Sequence, residues 1–84
     1  MKLVGRNRLK ALYGLDDKTD AWMRSWVSEV SRANWKIAKD VIQQFPKAKK
    51  VEHDIFEFPV GDHSKCIEVA MVFSQAVALV VGLK

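Results

Sequence analysis

The chain has 84 residues, 49% of them hydrophobic and 29% charged, with a formal net charge of +4. Those proportions suit a single globular domain over 1–84, not a disordered chain, with roughly 60% of the unfolded surface buried on folding. No run approaches the roughly 20 apolar residues of a membrane span, no secretory signal follows the charged N-terminus, and a lone Cys66 excludes an internal disulfide, so a cytoplasmic protein with no membrane contact is expected.

Leu3 and Val4 begin an extended segment. In "NRLKALYG", Leu9, Leu12 and Tyr13 recur at helical spacing and Gly14 is a C-cap residue, which predicts a short helix. Asp16, Asp17 and Asp20 then suit the start of a longer helix, where carboxylates cap free amides and complement the macrodipole. Along it Trp22, Trp26 and Val30 repeat every four residues with Met23 and Val27 beside them, an apolar stripe read as core. Asn34 is the expected N-cap of a further helix, "WKIAKDVIQQF", with Ala38, Val41, Ile42 and Phe45 inward. Pro46 ends it by lacking an amide hydrogen and disfavouring the helical conformation at Phe45.

From Val51 the period falls to two. The first expected strand carries His53 and runs to a turn at Gly61-Asp62. In the second, Ile67, Val69, Met71 and Phe73 share a face opposite Cys66, Glu68, Ala70 and Val72. "AVALVVGL" is apolar on both faces, as in a strand covered on two sides or lying inside a sheet, and Ser74-Gln75 turns into it. Helices precede strands, which predicts an α+β fold: a three-stranded antiparallel sheet with the N-terminal helices packed on one face.

Charge is unevenly placed. Residues 1–10 carry Lys2, Arg6, Arg8 and Lys10 and no acid, while residues 32–50 carry Arg32, Lys36, Lys39, Lys47, Lys49 and Lys50 against Asp40 alone. Arg6, Arg8, Lys36, Lys39, Lys47, Lys49 and Lys50 are therefore candidate RNA-binding residues, one cradle if the two segments meet in space. The plainer reading is a set of solvated helix faces. Trp35, beside Lys36, is the one tryptophan left open for stacking on a base.

In this order the elements resemble the HigB toxins of bacterial toxin–antitoxin pairs, within the RelE-like group. "MKLVGRNRLKALYG" is similar to the family's opening strand and helix, the Trp-containing helices ending in Phe45-Pro46-Lys47-Ala48 to its middle, and "IFEFPVGDHSKCIEVAMVFSQAVALVVG" to its hairpin and core strands. The family's turn reads Gly-Asn-x-Tyr-Arg; Asp62, Ser64 and Lys65 stand here at the Asn, Tyr and Arg positions. Where the family usually continues from the last glycine into a Thr-His-x-x-Tyr segment, Gly82 is followed here by Leu83 and Lys84. The resemblance implies a ribosome-dependent endoribonuclease cutting mRNA, held in check by a HigA-like antitoxin. The alternative is a catalytically reduced relative that only binds RNA or antitoxin.

Metal-free RNA cleavage needs a base for the 2′-hydroxyl, charge to stabilise the phosphate, and an acid for the leaving 5′-oxygen. Lys65, at the family's Arg position, is the candidate phosphate stabiliser, as a point charge without Arg's planar fork. His63 is the candidate acid or base because imidazole titrates near neutrality. His53 is a third catalytic candidate, and Glu68 is a base or a sheet-surface acid. No metal or cofactor is expected: His53, His63 and Cys66 lack the spacing of a tetrahedral site, no glycine-rich phosphate loop is present, and Cys66 reads as a small buried hydrophobe.

Overall fold

A computed structural model describes residues 1–61 and 63–84, and the Asp62 part of the expected turn lies outside the described residues. Among the described residues the order is β1 (Lys2–Val4), a 3-10 helix (Arg6–Leu12), α1 (Asp17–Arg32), α2 (Ala38–Gln44), β2 (Lys49–Glu52), β3 (Ile55–Pro59), β4 (Cys66–Val72), a 3-10 turn (Phe73–Gln75) and β5 (Val77–Leu83). The strands form one five-stranded sheet in the order β1-β5-β4-β3-β2. The fold is α+β, with helices against one sheet face.

The helices follow the sequence with two shifts. Leu9 and Leu12 sit three apart, the repeat of a 3-10 helix, so the first helix tightens to that form and buries both leucines fully. It is entered through Gly5 at φ +86°, where a Cβ would stand 2.9 Å from the Val80 carbonyl oxygen; only glycine lets the backbone lie this close to β5. α1 starts as expected, its Asp16 N-cap carboxylate accepting from the Thr19 amide at 2.7 Å. α2 begins at Ala38 and not after Asn34, because Asp40 accepts from the amides of Lys36 (2.8 Å) and Ile37 (3.3 Å) and so draws the helix start toward itself. It stops before Pro46, as expected.

The sheet is mixed, which corrects the antiparallel expectation. β1 pairs in parallel with β5, Leu3 opposite Ala78, while β2 through β5 are antiparallel. The expected first strand is also cut in two at His53-Asp54, where Asp54 adopts a left-handed φ of 60° that aspartate tolerates, giving a tight β2–β3 turn with Glu52 opposite Ile55. β5 is an interior strand, flanked by β1 and β4, which explains half of its apolar character. The other half is not explained by cover, since Leu79 and Val81 are exposed on the sheet face away from the helices.

On the covered face Phe56, Phe58, Ile67, Val69, Met71, Ala78 and Val80 meet Leu9, Leu12, Met23, Trp26, Val27, Val30 and Val41 in one core. An aromatic chain threads it: Trp26 meets Phe58 edge-on at 5.4 Å, Phe58 meets Phe45 at 5.3 Å, and Phe45 meets Trp35 at 5.9 Å. Trp35 is therefore core, 4% exposed, with its Nε1 donating to Gln44 Oε1 at 3.1 Å, and is not a free stacking surface. Truncating Trp26 to alanine should cost about 3–5 kcal/mol. Cys66 is half-buried on the uncovered face, not buried as expected.

Candidate functional site

The β3–β4 turn closes with the Val60 amide donating to the Lys65 carbonyl at 3.1 Å and the His63 amide to the Val60 carbonyl at 2.8 Å. That geometry carries the His63 ring to the first turn of α1. His63 Nε2 and Thr19 Oγ1 share a hydrogen bond of 2.7 Å, and Nε2 lies 3.4 Å from Asp16 Oδ2. Thr19 is 4% exposed, so its hydroxyl needs a partner, and the imidazole supplies it. The Asp16 carboxyl is held below its ordinary value of 3.8, first by the Thr19 amide, then by the Thr19 hydroxyl, with His63 adding to both.

Around this cluster opens a cavity of about 380 Å³ lined by Asp16, Lys18, Thr19, Trp22, Gly61 and His63. A second cavity, about 420 Å³, lies against it and shares Trp22 and Gly61; its other walls include Phe45, Pro46, Lys47, Phe58 and Pro59. A histidine oriented by a carboxylate and a hydroxyl, beside a lysine in an open cavity, is equipped to move a proton next to an anion.

The candidates from sequence do not all converge here. His63 lines the first cavity and Lys65 sits exposed in the same turn. His53 was expected within a strand but occupies the β2–β3 turn, at the other end of β3. Five strand residues at about 3.4 Å each separate the two turns by roughly 17 Å. His53 is paired instead with its neighbour, Nε2 to Asp54 Oδ2 at 3.2 Å. Glu68 is a sheet-surface acid on the uncovered face, opposite Glu57, and Lys84 Nζ lies 3.2 Å from Glu57 and 3.4 Å from Glu68. Those contacts, Glu57 foremost, raise the Lys84 ammonium above its ordinary value of 10.5.

All seven candidate RNA-binding cations are exposed, but they fall into two groups, one beside β5 and one on the stretch that leads to β2. Arg6 and Arg8 belong to the 3-10 helix beside β5, and the Arg8 guanidinium donates to the Val80 carbonyl at 2.9 Å. Lys36, Lys39, Lys47, Lys49 and Lys50 lie on the stretch leading through α2 to β2, the opposite edge strand. Three strand spacings, roughly 14 Å, exceed the screening length of about 8 Å at physiological salt. The two groups thus act as separate patches, and Lys47 alone of the seven lines either cavity.

Asp16, Lys18, Thr19 and Trp22 were not singled out as site residues. Asp16 reads correctly as a cap and Trp22 as part of a core stripe, yet Trp22 is only partly buried. Their spacing of three along α1 was the available signal: it puts Asp16, Thr19 and Trp22 on neighbouring turns of one side. Among the described residues no group of three or more metal-ligating side chains occurs, and no helix is long and apolar enough to cross a membrane. No protein-family model matches the chain, and no curated protein matches it either.

Proposed function

We propose that the chain is a toxin of the HigB kind, RelE-like in fold, that cuts mRNA at the β3–β4 turn without a metal and is neutralised by a HigA-like antitoxin. The observation that carries this reading is the His63 ring, held by Thr19 and Asp16 on the wall of an open cavity with Lys18 beside it and Lys65 in the same turn. The ordered likeness of the segments to that family supplies the reaction class.

The reaction balances without further reagents. The ribose 2′-oxygen attacks the adjacent phosphorus, the bond to the 5′-oxygen breaks, and the products are a 2′,3′-cyclic phosphate and a free 5′-hydroxyl. The 2′-proton must leave and the 5′-oxygen must gain one. With Nε2 held by Thr19 and Asp16, Nδ1 of His63 takes the 2′-proton and returns it to the departing 5′-oxygen, and Lys65 and Lys18 offset the charge that builds on the phosphate. The ribosome presents the mRNA, and the exposed lysines from 36 to 50 steer the chain to polyanions and to acidic antitoxin segments.

A second reading, a catalytically reduced module that only binds RNA or antitoxin, is favoured by one fact: the turn offers a single imidazole, since His53 lies at the far end of β3. Inducing the chain in cells and mapping mRNA ends with and without translation separates the two. The nuclease reading expects growth arrest and new 5′-hydroxyl ends that disappear in His63→Ala and weaken in Lys65→Ala. Arrest without new ends supports binding alone; arrest and cutting that survive both substitutions sink the site assignment.

A further inference from the structure

We infer that the two cavities flanking Trp22 are consecutive nucleotide subsites for single-stranded RNA, with the indole as the divider between them. This rests on the RNA reading above and names what the site holds. The cavities share Trp22 and Gly61 as walls, and at about 380 and 420 Å³ each lies near the small end of the roughly 300–1,000 Å³ range of ligand sites. Each is therefore suited to one small unit, not to a folded partner.

Their linings fit the two halves of a nucleotide. The second cavity is walled by Phe45, Pro46 and Pro59, apolar surfaces against which a base can lie, with the buried Phe58 behind them. The first carries the side chains of Asp16, Lys18 and His63 beside Trp22, with the His63 ring facing a base edge or ribose. Each cavity has one lysine, Lys18 in the first and Lys47 in the second, so a phosphodiester backbone crossing Gly61 meets a cation on either side. Among the described residues that line the two cavities, Asp16 is the acid, and it is already engaged by the Thr19 amide and by His63.

Trp22 is braced for the role. It stacks on Trp26 at 6.3 Å with the rings 12° from parallel, and Trp26 is 1% exposed, so the divider is mounted on the core. A Cβ at Gly61 would stand 3.9 Å from Trp22 Cδ1, and a longer side chain there would enter the saddle between the cavities. Glycine leaves that saddle open. In a duplex the base faces are covered by stacked neighbours and the Watson–Crick edges by pairing, which excludes a duplex from the same subsites.

The test is fluorescence anisotropy of the purified chain with a labelled single-stranded RNA hexamer, shown intact on a gel, beside the same sequence as a duplex. Trp22→Ala should weaken hexamer binding about tenfold or more, whereas Trp22→Phe should stay within about threefold of the parent. Lys18→Ala and Lys47→Ala should each flatten the slope of log affinity against log salt by about 0.7. Should Trp22→Ala fail to fold, Trp22→Leu, which keeps bulk against Trp26, carries the same expectation. Full affinity in a folded Trp22→Ala or Trp22→Leu variant, unchanged salt slopes in both lysine variants, or duplex bound as well as single strand overturns the proposal. Binding that depends on Trp22 without any cutting keeps these subsites and removes the nuclease. Cutting that depends on His63 with binding indifferent to Trp22 does the reverse.

Discussion

Strand β3 is bounded by two turns that each carry a histidine beside an aspartate, and the two histidines are held in opposite ways. At the β2–β3 end the His53 side chain is 90% exposed and meets Asp54, its neighbour in the chain. At the β3–β4 end His63 is 37% exposed and meets Thr19, 44 residues away, and Asp16. The first contact is local, solvated and screened, and it positions nothing but itself. The second ties a hairpin to the start of a helix and orients a ring over a cavity. Residue type is the same at both ends; attachment to a second element separates a surface pair from a candidate site.

The largest expected difference between the turns is in catalysis. His63→Ala should lower mRNA cutting by about 10²–10⁴-fold while His53→Ala leaves it unchanged, measured as cleavage rates of the two variants side by side. Equal losses would end the distinction drawn above.

Stability should separate the turns less strongly. Thr19→Val removes the hydroxyl that His63 meets and should cost about 1 kcal/mol in urea unfolding. In a double-mutant cycle with His63→Ala that loss should not add, because both changes break one contact. Gly61→Ala, at φ +50°, should cost about 1 kcal/mol. Asp54→Gly, at φ 60°, should be near neutral or slightly stabilising, since there the strained residue is the native one.

Acid should weaken the contact at the start of α1. The Asp16 carboxyl is lowered in the folded chain relative to 3.8, so its contribution is complete above that value and fades as pH falls through the lower folded value. The stability gap between the parent and Asp16→Asn, followed by circular dichroism, should therefore be widest above pH 3.8 and close below it. The smallest effect belongs to the solvated pair: His53→Ala should shift unfolding by less than about 0.5 kcal/mol.

Much of the architecture was legible because it rests on short-range pattern. The Trp26–Val30 stripe, the Asp16 cap, the stop at Pro46 and the two-residue alternation of β4 are written within a few turns or strand residues of themselves. The departures come from partners distant in sequence or from one competing side chain. β1 joins β5 in parallel across more than 70 residues, which no local period encodes. Asp40 moves the start of α2 by taking the amides before it. Asp54 breaks one expected strand into two and leaves His53 in the turn between them.

From the sequence alone came helices before strands, which side chains go inward, the excess of cations, and a polar turn carrying His63 and Lys65. Backbone propensity and the burial of apolar side chains act locally and leave periodic traces in the order of residues. Tertiary structure decided which of two histidines meets a helix, that the cations divide between a group beside β5 and a group leading to β2, and that Trp22 stands between two cavities and not inside the core. Those outcomes depend on how separate elements pack, and a hydrogen bond or cavity wall formed by residues far apart leaves no period to read.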